Sequence, residues 1–129
     1  MINKREDTMT EREFWQFLEK SWEKGRAAQM TGVVDSSDPE MQAAAKYIEK
    51  HSLLPADYQN IPEGIITAMS GLLFSEKVRR RTKEAVLMIL AHQQSKRVLA
   101  TLEKYSKDPD RRLKVFSQLA LNECEMWNT

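Results

Sequence analysis

Apolar residues recur along this chain at intervals of three and four, which is the spacing of one face of an α-helix. The period-two alternation typical of strands is rare, β-branched residues are scattered, and only 4 glycines and 4 prolines interrupt the pattern. We therefore predict an all-α chain. The apolar stripes indicate helices over residues 10–31, 38–50, 62–74, 75–94, 95–106 and 108–127.

Helix start signals precede these segments. Thr10 and Glu13 form a capping-box pair, in which each side chain accepts a hydrogen bond from the other residue's backbone amide. Asp38 supplies a side-chain oxygen for an N-cap, and Pro39 suits the next position because its missing amide hydrogen costs nothing there. The same Asp-Pro-acid sequence recurs at Asp108. The remaining helix starts are predicted at Pro62, Ser75 and Ser95.

The predicted helix starts are regularly spaced. Asp38, Ser75 and Asp108 lie 37 and 33 positions apart, and Pro62 and Ser95 lie 33 positions apart. A period of this length, with two antiparallel helices in each unit, is typical of an α-solenoid, in which the stacking of helix pairs supplies the core. The spacing therefore predicts a repeated structural unit.

Residues 75–127 combine an Asp-Pro entry, an arginine early in the helix, an Ala/Leu-rich body and a second helix with a Val-Leu-x-x-Leu core. In these features the chain resembles the HEAT-like repeats of short bacterial proteins, with armadillo repeats as the nearest alternative. The resemblance extends over about residues 38–127 and implies an α-α superhelix of antiparallel helix pairs. The loop over residues 52–61 is long for a regular repeat, and residues 1–37 do not match the pattern. The helix over residues 10–31 is therefore predicted to cap the first exposed apolar face.

Length and composition indicate a single domain. A chain of 129 residues with 41% apolar content has room for one core, so we predict one helical domain over residues 10–129 behind a disordered tail of residues 1–9. No apolar run approaches the roughly 18 residues that a membrane span needs. The first residues are charged where a secretory signal is apolar, and a single cysteine excludes an internal disulfide. We expect a cytoplasmic protein without membrane contact.

Candidate catalytic and metal-ligating residues are few. His51 and His92 are predicted near helix C-termini, where a positive imidazole complements the helix dipole. With Glu123 and Cys124 they supply the residue types of a zinc site, but the short ligand spacings of a zinc motif are missing. An enzyme that uses His92 with Glu123 would need a pocket that unites groups from two helices. We therefore predict no catalytic residue, no metal site and no cofactor.

Charge is unevenly distributed along the chain. The whole chain has 20 Lys and Arg against 19 Asp and Glu, whereas residues 75–114 hold 12 against 5. Several of these cations crowd the predicted first turns of the helix over residues 75–94, where the helix dipole disfavours them by about 0.3–1 kcal/mol each. Three interpretations follow: pairing within the fold, contact with an acidic protein partner, and contact with nucleic-acid phosphates, which would be strongly salt-dependent.

A repeat protein without catalytic motifs is predicted to be a protein-interaction or scaffold module with no enzymatic activity and an acidic protein as its partner. The helices over residues 62–74 and 95–106 would form its groove, with a basic rim beside it. The alternative is a nucleic-acid-binding accessory protein that uses the basic segment 77–114 on the phosphate backbone. Few aromatic residues besides Tyr105 are available there to stack on bases, which disfavours single-strand binding. The predicted contact residues are Arg79, Arg80, Arg97, Lys104, Arg111 and Arg112.

Overall fold

The computed structural model describes residues 8–27 and 37–129. Within these residues the fold is all-α, as predicted, and no β-strand is formed. No helix among them has the length and apolar character that crossing a membrane requires. The α-helices are α1 (Glu11–Trp22), α2 (Pro39–Glu49), α3 (Glu63–Ser70), α4 (Arg80–Ala91), α5 (Lys96–Lys107) and α6 (Lys114–Trp127). Short 3-10 helices cover Lys50–Leu53, Tyr58–Asn60, Gly71–Phe74 and Arg111–Leu113.

The first helix begins where the sequence predicts but ends earlier. The capping box forms, with the Thr10 amide donating to Glu13 at 2.8 Å and the Glu13 amide donating to Thr10 at 3.1 Å. The helix then ends at Trp22, and Gly25 turns the chain with a φ of 122°, a left-handed conformation that favours glycine. The predicted extent of 10–31 was therefore too long. Residues 28–31 and the first seven residues of the tail predicted over 1–9 lie outside the described residues.

Helix α4 forms the centre of the core. Every residue from Thr82 to Ala91 is buried, because α3, α5, α6 and three of the 3-10 helices pack around α4. Two charged side chains of α4 are enclosed with it and are paired: Lys83 with Asp110 at 2.8 Å, and Glu84 with lysines of the α2 segment at 3.3 and 3.7 Å. These pairs offset the cost of removing the charges from water.

Two of the predicted start signals are confirmed as helix caps. Asp38 accepts a hydrogen bond from the Glu40 amide at 3.0 Å, with Pro39 as the first residue of α2. Ser95 accepts from the Val98 amide at 3.2 Å at the start of α5. Both helices therefore begin where a side-chain oxygen satisfies a first-turn amide.

Two other predicted start signals were wrong. Ser75 does not cap α4, which begins five residues later at Arg80 with no side-chain cap. Asp108 ends α5 and does not start α6, which begins at Lys114. The start predicted at Pro62 is confirmed to within one residue, because α3 begins at Glu63 with Pro62 as its N-cap. The second Asp-Pro-acid sequence instead places Asp110 beside Lys83, so a tertiary ion pair overrides the local start signal.

Candidate functional sites: an arginine cavity and an acid-histidine cluster

The predicted contact residues are all exposed, but they do not share one surface. Arg80, Arg111 and Arg112 line a single cavity of about 250 Å³, which we call the arginine cavity; its other lining residues are Val78, Lys83 and Asp110. Arg79, Arg97 and Lys104 do not line this cavity. The structure therefore brings together half of the predicted set.

Arg79 is engaged within the fold. Its Nε donates to Glu11 at 2.9 Å, and the Thr82 hydroxyl donates to the same carboxylate oxygen. The indole of Trp15 donates to the Thr82 hydroxyl at 2.9 Å. Burial raises the pKa of Glu11, but the hydrogen bonds from Thr82 and Arg79 lower it by more, so the net shift is downward. This network fastens α1 to the start of α4, and Arg79 is accordingly a structural residue.

The other two residues outside the cavity make weaker contacts. Arg97 lies 3.8 Å from Glu63, and both side chains are largely exposed, so the pair contributes little to stability. The Lys104 ammonium lies over the ring of the exposed Phe74, 5.2 Å from its centroid. Both contacts join the segment of α3 to α5.

Asp110 forms an ion pair with Lys83, the buried cation of the arginine cavity, and forms none with the three arginines. It accepts from Lys83 at 2.8 Å and from the Tyr105 hydroxyl at 2.5 Å. Burial raises the pKa of Asp110, but the hydrogen bonds from Lys83 and Tyr105 lower it by more. The net shift is downward, so the carboxylate stays ionised. Among residues 8–27 and 37–129, no ion pair within 4 Å involves Arg80, Arg111 or Arg112. The cavity therefore presents three guanidinium groups to solvent.

A second cluster, which we call the acid-histidine cluster, consists of Tyr47, His51, His92 and Glu123. Tyr47 lies on α2, His51 on the 3-10 helix that follows it, His92 at the C-terminus of α4, and Glu123 on α6. One Glu123 oxygen lies 2.8 Å from His92 Nε2, and the other lies 3.5 Å from His51 Nε2. The Tyr47 hydroxyl donates to the oxygen that faces His51.

Backbone carbonyls orient both imidazoles. His51 Nδ1 lies 3.0 Å from the carbonyl oxygen of Ile48, and His92 Nδ1 lies 2.8 Å from that of Met88. A carbonyl oxygen only accepts, so each Nδ1 must carry the hydrogen and each Nε2 points at Glu123. The C-terminal ends of two helical segments thus aim two ring nitrogens at one carboxylate.

The cluster is held within aromatic side chains and is largely shielded from solvent. The His51 and His92 rings are perpendicular with centroids 5.0 Å apart, and Tyr58 packs edge-on against His92 at 5.5 Å. Side-chain exposure is 13% for His51, 6% for His92 and 20% for Glu123. Solvent therefore reaches the cluster mainly along the edge formed by His51 and Glu123.

The electrostatics of the cluster favour an ionised carboxylate. Burial raises the pKa of Glu123, but hydrogen bonds from His51, His92 and Tyr47 lower it by more, so the net pKa lies well below its usual range. The bond to Glu123 raises the pKa of His51. Burial, followed by the Glu123 contact, raises the pKa of Tyr47 far above its usual value. Tyr47 therefore acts as a neutral hydrogen-bond donor.

Sequence reasoning identified His51, His92 and Glu123 but disfavoured a shared site because of their long spacing. The structure brings these three together and leaves Cys124 outside. The Cys124 thiol is fully buried, its Sγ lies 3.7 Å from the Gln93 carbonyl oxygen, and burial raises its pKa to about 11. The only sequence signal for the cluster was that the two histidines of the chain both end helical segments, which allows their side chains to converge.

Comparison of this chain with protein-family models, with curated proteins and with solved structures gave no match. Its function is therefore inferred from the geometry of the arginine cavity and the acid-histidine cluster. The arginine cavity is open and is lined by four cations and one carboxylate, whereas the cluster is largely enclosed and joins two imidazoles to one carboxylate. These properties suit different ligands, a charged macromolecular segment for the first and a small ion for the second.

Proposed function

We propose that this chain is a protein-interaction module without catalytic activity, which binds an acidic segment of a partner protein at the arginine cavity. The observation that carries this proposal is the convergence of Arg80, Arg111 and Arg112, without an acidic partner for any of them among the described residues. Guanidinium groups present a planar fork of donors that matches a carboxylate with two hydrogen bonds. Three such groups around one concavity therefore favour a segment with several acidic residues.

A second cavity beside the arginines indicates a further feature of the partner. It has a volume of about 420 Å³ and shares Lys83 and Asp110 with the arginine cavity; its other lining residues are Leu73, Phe74, Ser75, Glu76, Tyr105, Asp108 and Pro109. A partner segment that lies across both would place its acidic side chains on the arginines, away from Glu76 and Asp108, and an apolar side chain against Phe74. Acidic residues next to an apolar anchor are therefore the expected recognition pattern.

A nucleic acid is less well suited to this surface than a protein. Phosphate-backbone binding relies on a stripe of cations that follows the strand. Here Arg79 is bound to Glu11 and Arg97 lies beside Glu63, so the predicted contact arginines that lack a carboxylate partner form a compact group. An acidic peptide segment of a few residues matches that extent.

The HEAT-like order of the helices stays a prediction within this proposal. It is supported by the contacts between the predicted second helices of successive units. Glu63 and Arg97 meet at the starts of α3 and α5, and Phe74 meets Tyr105 at the other end, with ring centroids 5.9 Å apart. These two contacts place the starts of both segments at one end and Phe74 and Tyr105 at the other, which is the parallel order of equivalent helices in stacked repeats. Helix α6 also packs on α2, a contact between the last and first predicted units that a simple stack does not make, since each repeat of a solenoid contacts only its neighbours.

The proposal is tested with two double charge reversals that change net charge equally. Arg111→Glu with Arg112→Glu alters the arginine cavity, whereas Arg97→Glu with Lys24→Glu alters exposed cations outside it. Binding of a fluorescent glutamate-rich peptide and of a labelled DNA duplex is followed by anisotropy at low and moderate salt. We expect the first variant to lose peptide affinity by about 10-fold or more. The control should lose only a few-fold, because it weakens only the long-range electrostatic attraction, which salt screens.

Two results would contradict the proposal. Equal losses in the two variants would show that the arginine cavity is not the binding surface. Tight, steeply salt-dependent DNA binding without peptide binding would replace the protein partner with a nucleic acid.

A further inference from the structure

The acid-histidine cluster has the dimensions of a metal site. The ligand atoms of His51, His92 and Glu123 all lie within 4.8 Å of one another. Bond lengths of about 2.0–2.2 Å at a tetrahedral zinc ion place neighbouring nitrogen and oxygen ligands about 3.3 Å apart. The distances from Glu123 to His92 Nε2 and His51 Nε2 are 2.8 and 3.5 Å, on either side of that value, and each involves a different carboxylate oxygen. The two nitrogens and the carboxylate therefore lie close enough together to face one ion.

The hydrogen bonds around the cluster are those that metal-binding histidines use. A histidine that binds through Nε2 donates its Nδ1 hydrogen to a carbonyl or carboxylate, which fixes the tautomer and the ring orientation. His51 and His92 both make this bond to helix carbonyls, at 3.0 and 2.8 Å. The Tyr47 hydroxyl meanwhile orients the Glu123 carboxylate. The two rings are therefore held in place by hydrogen bonds made away from the position of the ion, and Tyr47 bonds to the Glu123 oxygen that faces His51.

We propose that His51 Nε2, His92 Nε2 and the Glu123 carboxylate together bind one divalent cation of the zinc type. Two imidazoles and one carboxylate form a donor set that suits Zn²⁺ and its neighbours and suits Mg²⁺ and Ca²⁺ poorly, since those ions prefer oxygen ligands. This proposal replaces the sequence-based prediction that no metal is bound. Its physical basis is that the fold gathers, from three helical segments, ligands that the sequence keeps far apart.

A bound ion would fasten the fold together. His51 lies on the 3-10 helix that follows α2, His92 ends α4 and Glu123 lies on α6, so the ion connects the central helix with that 3-10 helix and with α6, which both pack against it. The partly exposed edge at His51 and Glu123 gives the ion a path from solvent. Because the folded chain binds the ion and the unfolded chain does not assemble the site, binding stabilises the fold.

The proposal is tested on the full chain without a histidine tag, because both histidines of the chain lie in the cluster. Metal is removed with a chelator, and Zn²⁺ uptake is then measured by calorimetry and by elemental analysis after gel filtration. We expect one ion per chain and a rise in melting temperature with free Zn²⁺. Co²⁺ should give the visible absorption of a tetrahedral site without a thiolate charge-transfer band, since Cys124 is excluded from the cluster.

Matched carboxylate variants on one helix separate the site from non-specific uptake. Glu123→Gln keeps the size of the side chain but removes its charge, and we expect Zn²⁺ affinity to fall by about 100-fold or more. Glu125→Gln changes an exposed carboxylate two residues away and should leave affinity unchanged. Tyr47→Phe, which removes only the orienting hydrogen bond, should lower affinity by about 10–100-fold.

A readout that does not depend on the variants is the long-range proton-nitrogen spectrum of the two histidine rings. Addition of Zn²⁺ should shift both Nε2 resonances while both Nδ1 atoms stay protonated. The proposal is overturned by unchanged ring spectra, by equal affinities of the Glu123→Gln and Glu125→Gln proteins, or by a Zn²⁺ dissociation constant weaker than about 1 mM. The cluster would then be a network in which protons, and no metal ion, join the histidines to Glu123.

Discussion

Neutralisation of Asp110 tests how the core tolerates a lysine. The Lys83 side chain is only 3% exposed, and its ammonium group donates to Asp110 at 2.8 Å. The variant Asp110→Asn keeps the size of the side chain and an oxygen that accepts from Tyr105, but it removes the charge that faces Lys83. The buried ammonium then lacks its counter-ion.

The expected cost follows from the burial of each partner. Removal of one partner of a fully buried ion pair costs about 3–5 kcal/mol, because the remaining charge is uncompensated. The Asp110 side chain is 43% exposed, so water screens part of the interaction, and the asparagine oxygen still accepts a hydrogen bond. We therefore expect Asp110→Asn to lower the free energy of unfolding by about 1.5–3 kcal/mol.

A double-mutant cycle with Lys83→Met isolates the charge effect, because methionine fills similar space without an ammonium group. The free energy of unfolding is measured by urea denaturation followed by circular dichroism, with equal m-values as the check on two-state behaviour. In the Lys83→Met background, Asp110→Asn should cost less than about 0.5 kcal/mol. An equal cost in both backgrounds would refute the reasoning, since the loss would then not arise from the unpaired lysine.

Three further predictions concern local structure and are measured by the same denaturation assay. Burial raises the pKa of Glu11, but the hydrogen bonds from the start of α4 lower it by more, so its folded-state pKa lies below the unfolded value of 4.5. Its contribution to stability is therefore present above pH 4.5 and is lost as the pH falls through the folded-state pKa. The difference in free energy of unfolding between the wild type and Glu11→Gln should therefore shrink in acid. A difference that does not depend on pH would refute this assignment. Ser95→Ala should lower the free energy of unfolding by about 1 kcal/mol, because it removes the side-chain cap of α5. Ser75→Ala should lower it by less than half of that, because the Ser75 side chain does not cap α4. Equal losses would contradict the cap assignment. Gly25→Ala should destabilise by about 1 kcal/mol or more because of its φ of 122°, whereas Gly64→Ala, which meets open space in α3, should be neutral or stabilising.

Local chemistry made much of the secondary structure predictable. Period-three-and-four apolar spacing indicated each helical segment, and the starts at Thr10, Asp38 and Ser95 were correct because a side-chain oxygen and an amide a few residues away suffice to form a cap. The failures at Ser75 and Asp108 have the opposite cause. Both residue types are good caps in isolation. In the fold, however, Ser75 accepts from the Lys77 amide ahead of α4, and the residues after Asp108 place Asp110 beside Lys83.

The functional groups were predictable as residue types and not as sites. The basic segment was evident from the sequence, and all six predicted cations are exposed. Their division into a cavity group and a paired group depends on Glu11, Glu63 and Phe74, which lie far away in the chain. His51, His92 and Glu123 were likewise recognised as metal-ligand types. Their convergence could not be deduced, because it requires the relative positions of three helical segments.

The sequence by itself determined that this chain is helical, where several of its helices begin, and that its positive charge is concentrated in the second half. Those properties depend on side chains within a few positions of one another. Only the tertiary structure decided that α4 is enclosed on all sides, that three arginines meet at one cavity, and that two histidines share one carboxylate. The physical reason is that these features arise from the packing of distant helices, which depends on the shapes of whole faces and on the pairing of every buried charge.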